Sequence, residues 1–323
     1  MKVFAGKIAV VTGGGMGIGR ELVRQLVADG CNVAMCDVSA EAMAETKRLC
    51  ELFKLPQGLR VTTHIVDVSI EQQLKRFRNE LAEQQATDTI HLLFNNAGIG
   101  GNGSGSMFTN PREQWERTFD ICWGGVYLGV RTFLPMLMKA DEAHIINTSS
   151  VNGFWASIGI GVPQTAYSAA KFAVKGFTEA LITDLRLNAP HIKCSVVMPG
   201  WIGTAIRSNT QKTQSGSERL TEHEVAQTRV HLKTAGVQGV DQMSDDQIQA
   251  VAAERTRVSA EQAPTTAAQA AKMILDGVKA GKWRILVGED ARKLDEQVRR
   301  DPENAYTPEF YNSFVEDAGW MVV

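Results

Sequence analysis

Short apolar runs rich in β-branched residues recur along the chain, each followed by a longer stretch with apolar positions at helical spacing. The strand-like runs are 8–11, 32–36, 61–66, 91–94, 144–147, 193–197 and 284–287. Helical patterns fall near 18–28, 41–53, 70–84, 112–138, 166–187 and 266–280. Near-continuous apolar strands separated by helices predict a parallel sheet covered on both faces, because parallel strands need crossover connections. The fold class is therefore α/β: a doubly wound parallel sheet of about seven strands in a single domain.

Two stretches break this rhythm. From 200 to about 264 no strand is expected; residues 207–219 are polar, and the pattern is then helical to about 257. A segment inserted there follows the carboxyl end of a strand, where doubly wound sheets bind ligands, so 201–264 is read as a substrate lid. The second stretch, 289–323, is a C-terminal extension to the domain at 1–288. It has a short helical piece over 291–300 and an apolar end, Trp320-Met321-Val322-Val323. It packs either on its own domain or on a neighbouring subunit. Gly100-Gly101-Asn102-Gly103-Ser104-Gly105 reads as a flexible loop near the ligand mouth.

Composition narrows the function without naming it. Of 323 residues 44% are hydrophobic and 22% charged, ordinary for a protein with a real core. A formal net charge of −2 argues against a dedicated nucleic-acid binder. No apolar run reaches the roughly 18 residues of a membrane span. The N-terminal residues pass straight into a strand-like run without the pattern of a signal peptide. The five cysteines, Cys31, Cys36, Cys50, Cys122 and Cys194, are odd in number and scattered, so neither a disulfide framework nor a zinc site is indicated. His64, His91 and His144 lie at strand-like runs and read as surface or strand-edge residues. The expectation is a metal-free, cytoplasmic protein.

The first strand runs into Thr12-Gly13-Gly14-Gly15-Met16-Gly17-Ile18-Gly19-Arg20 and then a helix. Glycines there permit a tight turn and a close backbone approach to a pyrophosphate, while the helix N-terminus offers free N–H groups. The second strand ends in Cys36-Asp37-Val38. A carboxylate some twenty residues past the glycines can accept hydrogen bonds from both adenosine ribose hydroxyls and would repel a 2′-phosphate. Neither Met16 nor Val38 supplies a compensating cation. NAD is thus the expected cofactor, and Ser39 is a better helix cap than Asp37.

These motifs, in this order, resemble a classical short-chain dehydrogenase/reductase from about Lys7 to Thr204 and again near 283–287. The resemblance implies a Rossmann-type fold and further contacts to the cofactor. Asp67-Val68 is similar to the family's adenine-contacting pair. Asn95-Asn96-Ala97-Gly98 matches the motif that ends the fourth strand and borders the cofactor. Pro199-Gly200-Trp201-Ile202-Gly203-Thr204 resembles the segment that holds the nicotinamide amide, through the Ile202 backbone and the Thr204 hydroxyl. The resemblance also implies a homo-oligomer, a tetramer or dimer, paired through the helices at 112–138 and 166–187.

Tyr167-Ser168-Ala169-Ala170-Lys171 places Tyr167 and Lys171 four residues apart on one helix face. A phenol with an ordinary pKa of about 10 is too weakly acidic for work near neutrality. An ammonium and the positive nicotinamide of NAD both favour the phenolate, and Lys171 would also bind the nicotinamide ribose. The preceding strand ends in Asn147-Thr148-Ser149-Ser150, and by resemblance Ser150, rather than Ser149, matches the family's catalytic serine. The implied reaction interconverts an alcohol and a ketone by hydride transfer, with Tyr167 as the acid/base and Ser150 steadying the substrate oxygen.

Two features depart from the family. Cys122 aligns with its usual relay asparagine and is read as a small buried residue. The segment between Ser150 and Tyr167 is longer than usual. Phe154, Trp155, Ile158 and Ile160 within it would line an apolar pocket beside Ser150, or pack under the lid or at a subunit contact. The pocket reading implies a bulky apolar substrate: steroid-like, terpenoid, alicyclic or aryl. The alternatives are an NADPH-linked 3-oxoacyl or carbonyl reductase, which Asp37 opposes, and an epimerase of the extended type, which the glycine spacing opposes. A non-catalytic NAD-sensing regulator would have no need of Ser150, Tyr167 and Lys171 together.

Overall fold

The computed structural model describes residues 1–52, 58–100, 105–157, 159, 162–234 and 236–320. The chain begins with β1 (Ile8–Thr12), α1 (Gly17–Ala28), β2 (Asn32–Asp37), α2 (Ala40–Glu51), β3 (Val61–Ile65), α3 (Glu71–Gln85) and β4 (Leu92–Asn95). It continues through α4 (Arg112–Phe119), a π-helical turn (Asp120–Gly124), α5 (Gly125–Leu137), β5 (Ala143–Thr148), α6 (Thr165–Asn188) and β6 (Ile192–Pro199). Next come β7 (Ile202–Gly203), α7 (Ile206–Ser215), α8 (Glu222–Thr234), α9 (Asp245–Glu261) and β8 (Thr265–Thr266). The remaining elements are α10 (Ala267–Lys279), β9 (Arg284–Val287), α11 (Glu289–Arg300) and α12 (Pro308–Ala318).

Seven strands form one sheet in the order β3-β2-β1-β4-β5-β6-β9, and all its pairs are parallel. The two-residue period of a strand splits its side chains between two apolar layers. Ala9 and Val11 join α1 and α10 on one face; Val10 joins α3, α5 and α6 on the other. Leu22, Val23, Leu26 and Val27 of α1 are fully or almost fully buried. Their spacing makes a single helical stripe, and each such side chain contributes about 1.5–3 kcal/mol. The strand order reverses between β1 and β4, which opens a crevice at the carboxyl edge of the sheet. No helix among the described residues is long and apolar enough to cross a membrane.

Several details differ from the pattern. The helix expected over 112–138 is interrupted at Asp120–Gly124. Next to it Gly125 packs so closely on the segment that follows β3 that a Cβ on it would lie 2.6 Å from Val68 Cγ2. The inserted segment is closed at its base by β7 and β8, which pair through only two residues each, too short to leave an apolar run. His64, on the edge strand β3, and His144, near the start of β5, are buried rather than at the surface, because each ring finds a polar partner. The His64 ring bonds Glu80 at 2.8 Å and the His144 ring bonds Ser195 at 2.7 Å.

The C-terminal extension packs on its own domain. Thr307 caps α12 by accepting from Phe310 N at 3.2 Å, and Pro308 fits the first turn, where no N–H is needed. Phe310, Tyr311 and Phe314 then surround Trp155 at ring-centroid distances of 6.1, 6.2 and 5.8 Å. Trp155 Nε1 donates to the Ala305 carbonyl at 2.6 Å. Phe154 packs against the same cluster. The pocket reading of Phe154 and Trp155 is therefore corrected. An indole that can bury its rings against α12 and satisfy its N–H at Ala305, just before that helix, gains more there than in a wet cavity. Ile158, Ile160, most of the 100–105 loop and the apolar end at 321–323 lie outside the described residues. Trp155→Ala should cost about 3–5 kcal/mol, read as a lowered urea midpoint; an unchanged midpoint would show that α12 contributes no stability.

Candidate active site

The site is built at the crevice. Gly17 stands at φ +54°, and a Cβ on Gly19 would lie 1.9 Å from the Gly13 carbonyl oxygen, so the turn closes only with glycine. Met16, at the N-cap of α1, makes no side-chain cap, which leaves first-turn N–H groups beside the cavity. Asp37 ends β2. Its Oδ2 accepts from Gly15 N at 3.0 Å and its Oδ1 from Ser39 N at 3.1 Å, while the α2 cap is Ser39, accepting from Ala42 N at 3.2 Å. Glu41 and Glu45 line the same end of the cavity. So does Arg20, whose Nε is held by the Gly15 carbonyl and Thr46 Oγ1. An uncapped helix N-terminus beside a tight glycine turn, with a carboxylate at the next strand end, fits a dinucleotide.

Asp67, Val68, Asn96, Ala97 and Gly98 follow along the crevice wall. Burial alone would raise the Asp67 carboxyl, but hydrogen bonds from Arg117 at 2.5 Å and from Ser69 outweigh it and hold it below the ordinary carboxylate value. Asn95 is turned away from the cavity, which corrects its expected place among the cofactor contacts. Its Nδ2 donates to Asn147 Oδ1 at 2.8 Å, and Asn147 Nδ2 donates to Thr178 Oγ1 at 3.0 Å. The pleat directs both asparagines to the face covered by α6, so they brace the helix that carries Tyr167. Gly15 also stays behind the cavity wall, buried against Asp37.

Tyr167 and Lys171 lie one turn apart on α6, with the Lys171 ammonium 5.4 Å from the Tyr167 ring centre. Lys171 is only 3% exposed, and its ammonium makes one hydrogen bond among the described residues, to the Thr148 carbonyl at 3.0 Å. Burial raises the Tyr167 phenol above its ordinary value; Lys171 and a hydrogen bond with Ser150 pull the other way. Ser149 Oγ donates to the Lys171 carbonyl at 2.7 Å and so holds the helix, whereas Ser150 faces Tyr167. Cys122 sits in the π-helical turn with Sγ donating to the Ile99 carbonyl at 3.3 Å. Such turns are frequent at functional sites.

Pro199, Gly200, Ile202 and Thr204 complete the wall. Sequence reasoning missed what fixes this loop. Asp290 of α11 accepts from Trp201 N at 2.7 Å and from Trp320 Nε1 at 2.9 Å, and a Cβ on Gly200 would lie 2.3 Å from its carboxylate. No local motif announces a carboxylate so distant in the chain. The cavity so enclosed measures about 1880 Å³ and joins Asp37 at one end to Ser150, Tyr167 and Lys171.

Residues 7–215 match the short chain dehydrogenase family. The chain belongs to the short chain dehydrogenases. SadH of Mycobacterium tuberculosis, named as an oxidoreductase, is 31% identical to this short chain dehydrogenase over 295 residues, 91% of each chain. A short chain dehydrogenase/reductase from Burkholderia phymatum, solved in complex with NAD, matches with a TM-score of 0.75 at 25% identity. That match covers 95% of this chain and 98% of the other. A metagenomic short-chain oxidoreductase in complex with NADP matches 62% of this chain and 84% of its own, with a TM-score of 0.53 and 28% identity. The family fixes a nicotinamide dinucleotide and an oxidoreductase; these two neighbours differ in which dinucleotide.

The Asp67 pairing has a consequence for stability. A carboxyl with a depressed folded pKa stabilises the fold above its unfolded value of about 4 and loses that contribution as pH falls through the folded value. Asp67→Asn should therefore lower the urea midpoint at pH 7, and the gap from wild type should narrow below about pH 4. A gap independent of pH would mean that the Arg117 ion pair contributes nothing.

Proposed function

We propose that this chain is an NAD-dependent oxidoreductase that interconverts a secondary alcohol and a ketone, with a bulky apolar substrate of steroid-like, terpenoid, alicyclic or aryl type. One observation carries the reading: Ser150, Tyr167 and a buried Lys171 lie at one end of a cavity whose other end holds the glycine turn and Asp37. Ile99, Ile121, Val162 and Leu220, which also line the cavity, support an apolar substrate in place of Phe154 and Trp155. Helices α7–α9 act as the substrate lid.

NAD, when bound, supplies the hydride acceptor, and NADH the donor. Tyr167 takes the proton of the alcohol in oxidation and returns it in reduction. A nearby cation is what makes this workable, since burial alone would hold the phenol protonated. Lys171 has donors to spare beyond its bond to Thr148, and these would hold a ribose hydroxyl. Ser150 donates to the substrate oxygen as negative charge grows on it. Asp37, with Glu41 and Glu45 beside it, favours ribose hydroxyls over a 2′-phosphate, which would meet like charge.

NADH should bind at least tenfold more tightly than NADPH, a difference of about 1.4 kcal/mol, and Asp37→Ala should erase that preference in a fluorescence titration. Equal or tighter NADPH binding by the wild type would sink the NAD assignment and favour biosynthetic ketone reduction. Tyr167→Phe should keep its NADH affinity and lose about 10²–10⁴-fold in kcat toward apolar secondary alcohols. NADH binding without turnover of any such alcohol or ketone by the wild type would favour the sensing role instead.

A further inference from the structure

Helices α7, α8 and α9 line the cavity next to the 199–204 loop, and two contacts fix where they stand. Thr210 of α7 accepts from Gly100 N at 2.7 Å, which ties that helix to the segment following β4. The Ser259 carbonyl of α9 accepts from Trp201 Nε1 at 2.8 Å, which ties that helix to the 199–204 loop. Arg207 precedes Thr210 by three residues and Arg255 precedes Ser259 by four, so each shares a helix face with the tethered residue. His231 of α8 joins them, and all three side chains line the cavity.

The segment 201–264 contains seven lysines and arginines. Five are matched by carboxylates. Lys212 pairs with Glu218 at 2.7 Å, Arg219 with Asp246 at 2.7 Å, Arg229 with Asp245 at 2.8 Å and Arg257 with Glu254 at 2.6 Å, while Lys233 pairs with Asp241. Arg207 and Arg255 have no hydrogen-bond or ion-pair partner for their side chains among the described residues, and neither has His231. They are also half-buried rather than freely solvated. Burial, and then Arg255, hold the Arg207 guanidinium below its ordinary value; burial followed by the two arginines does the same to His231. Partly desolvated like charges gathered without a counter-charge are unfavourable in the free protein, and an oxyanion between them would relieve the cost.

We propose that Arg207, Arg255 and His231 form a subsite for an oxyanion, a carboxylate or phosphate group, carried at one end of an otherwise apolar substrate. The inference rests on reading this cavity as the substrate end of a dehydrogenase and narrows the substrate to an amphiphile. Apolar side chains such as Ile206 and Leu220 line the same cavity and would hold its body. The same oxyanion chemistry has a second source, the pyrophosphate of the cofactor, and the test separates the two.

The NADH-loaded enzyme is titrated by calorimetry with decanoate and its uncharged amide, and with phenylacetate and phenylacetamide. The wild type should bind at least one carboxylate about tenfold or more tightly than its amide. Arg207→Gln and Arg255→Gln should each close most of that gap, Arg207→Lys should keep part of it, and NADH affinity should stay within about twofold. On the wild type alone, added salt should weaken the carboxylate and spare the amide. Equal affinity for both members of each pair would overturn the proposal. A loss of NADH affinity in the glutamine variants, matching the loss of carboxylate binding, would also overturn it and assign the cations to the cofactor. Because these titrations involve no chemistry, an absence of alcohol or ketone turnover would count against the redox reading alone.

Discussion

At their carboxyl ends β1 and β4 have to part, because β1 sends its helix to one face of the sheet and β4 sends its connection to the other. Parting strands leave backbone groups without their ladder partners, deep enough that water cannot serve them all. Thr12 meets this need. Its hydroxyl accepts from Asn96 N and Ala97 N, both at 3.0 Å, and donates to the Phe94 carbonyl at 3.3 Å. Asn96 returns the contact by donating Nδ2 to the Thr12 carbonyl at 3.1 Å. The crevice is thereby held open at a fixed width, and the glycine turn can press on Ala97 from one side while the sheet closes behind it. Every other part of the site takes its position from that gap.

The chemistry-bearing helix is referred to the same frame. Asn147 links β5 to α6 through Thr178, and Ser149, just past that strand, holds the carbonyl of Lys171, so strand and helix share two buried hydrogen bonds that begin one turn beyond Tyr167. A helix pinned at two points cannot slide by the fraction of an ångström that would separate a phenol from a serine hydroxyl.

Much of this was legible in the chain itself. Strands buried on both faces are apolar throughout, so they stand out, and the turn glycines, Asp37, Ser150, Tyr167 and Lys171 each occupy a place set by local chain position: a strand end or one helix turn. The break at Asp120–Gly124 was not legible, since Ile121, Cys122, Val126 and Val130 keep an apolar stripe through it. Only the approach of Gly125 to Val68 reveals where the helix opens. Trp155 announced an apolar contact but not which of two apolar neighbours would take it. Asp290, Arg207 and Arg255 carry no local signature, because what distinguishes them is a partner, or the want of one, supplied by distant segments. Asn95 was misplaced because a motif specifies residue types but not which face of the pleat each one uses.

The embrace of Trp155 by α12 bears on the order in which the molecule is made. Segments emerging from the ribosome fold roughly in the order they appear. The sheet strands through β6 can pair well before residues 305–314 exist. Until those residues arrive, the indole five positions beyond Ser150 has no partner for its N–H and no cover for its rings. The serine's own surroundings are thus finished only after residues 305–314 have been made. A chain stopped short of α12 would leave them loose, so a nascent or prematurely ended product would be kept from working until synthesis had run past the tail.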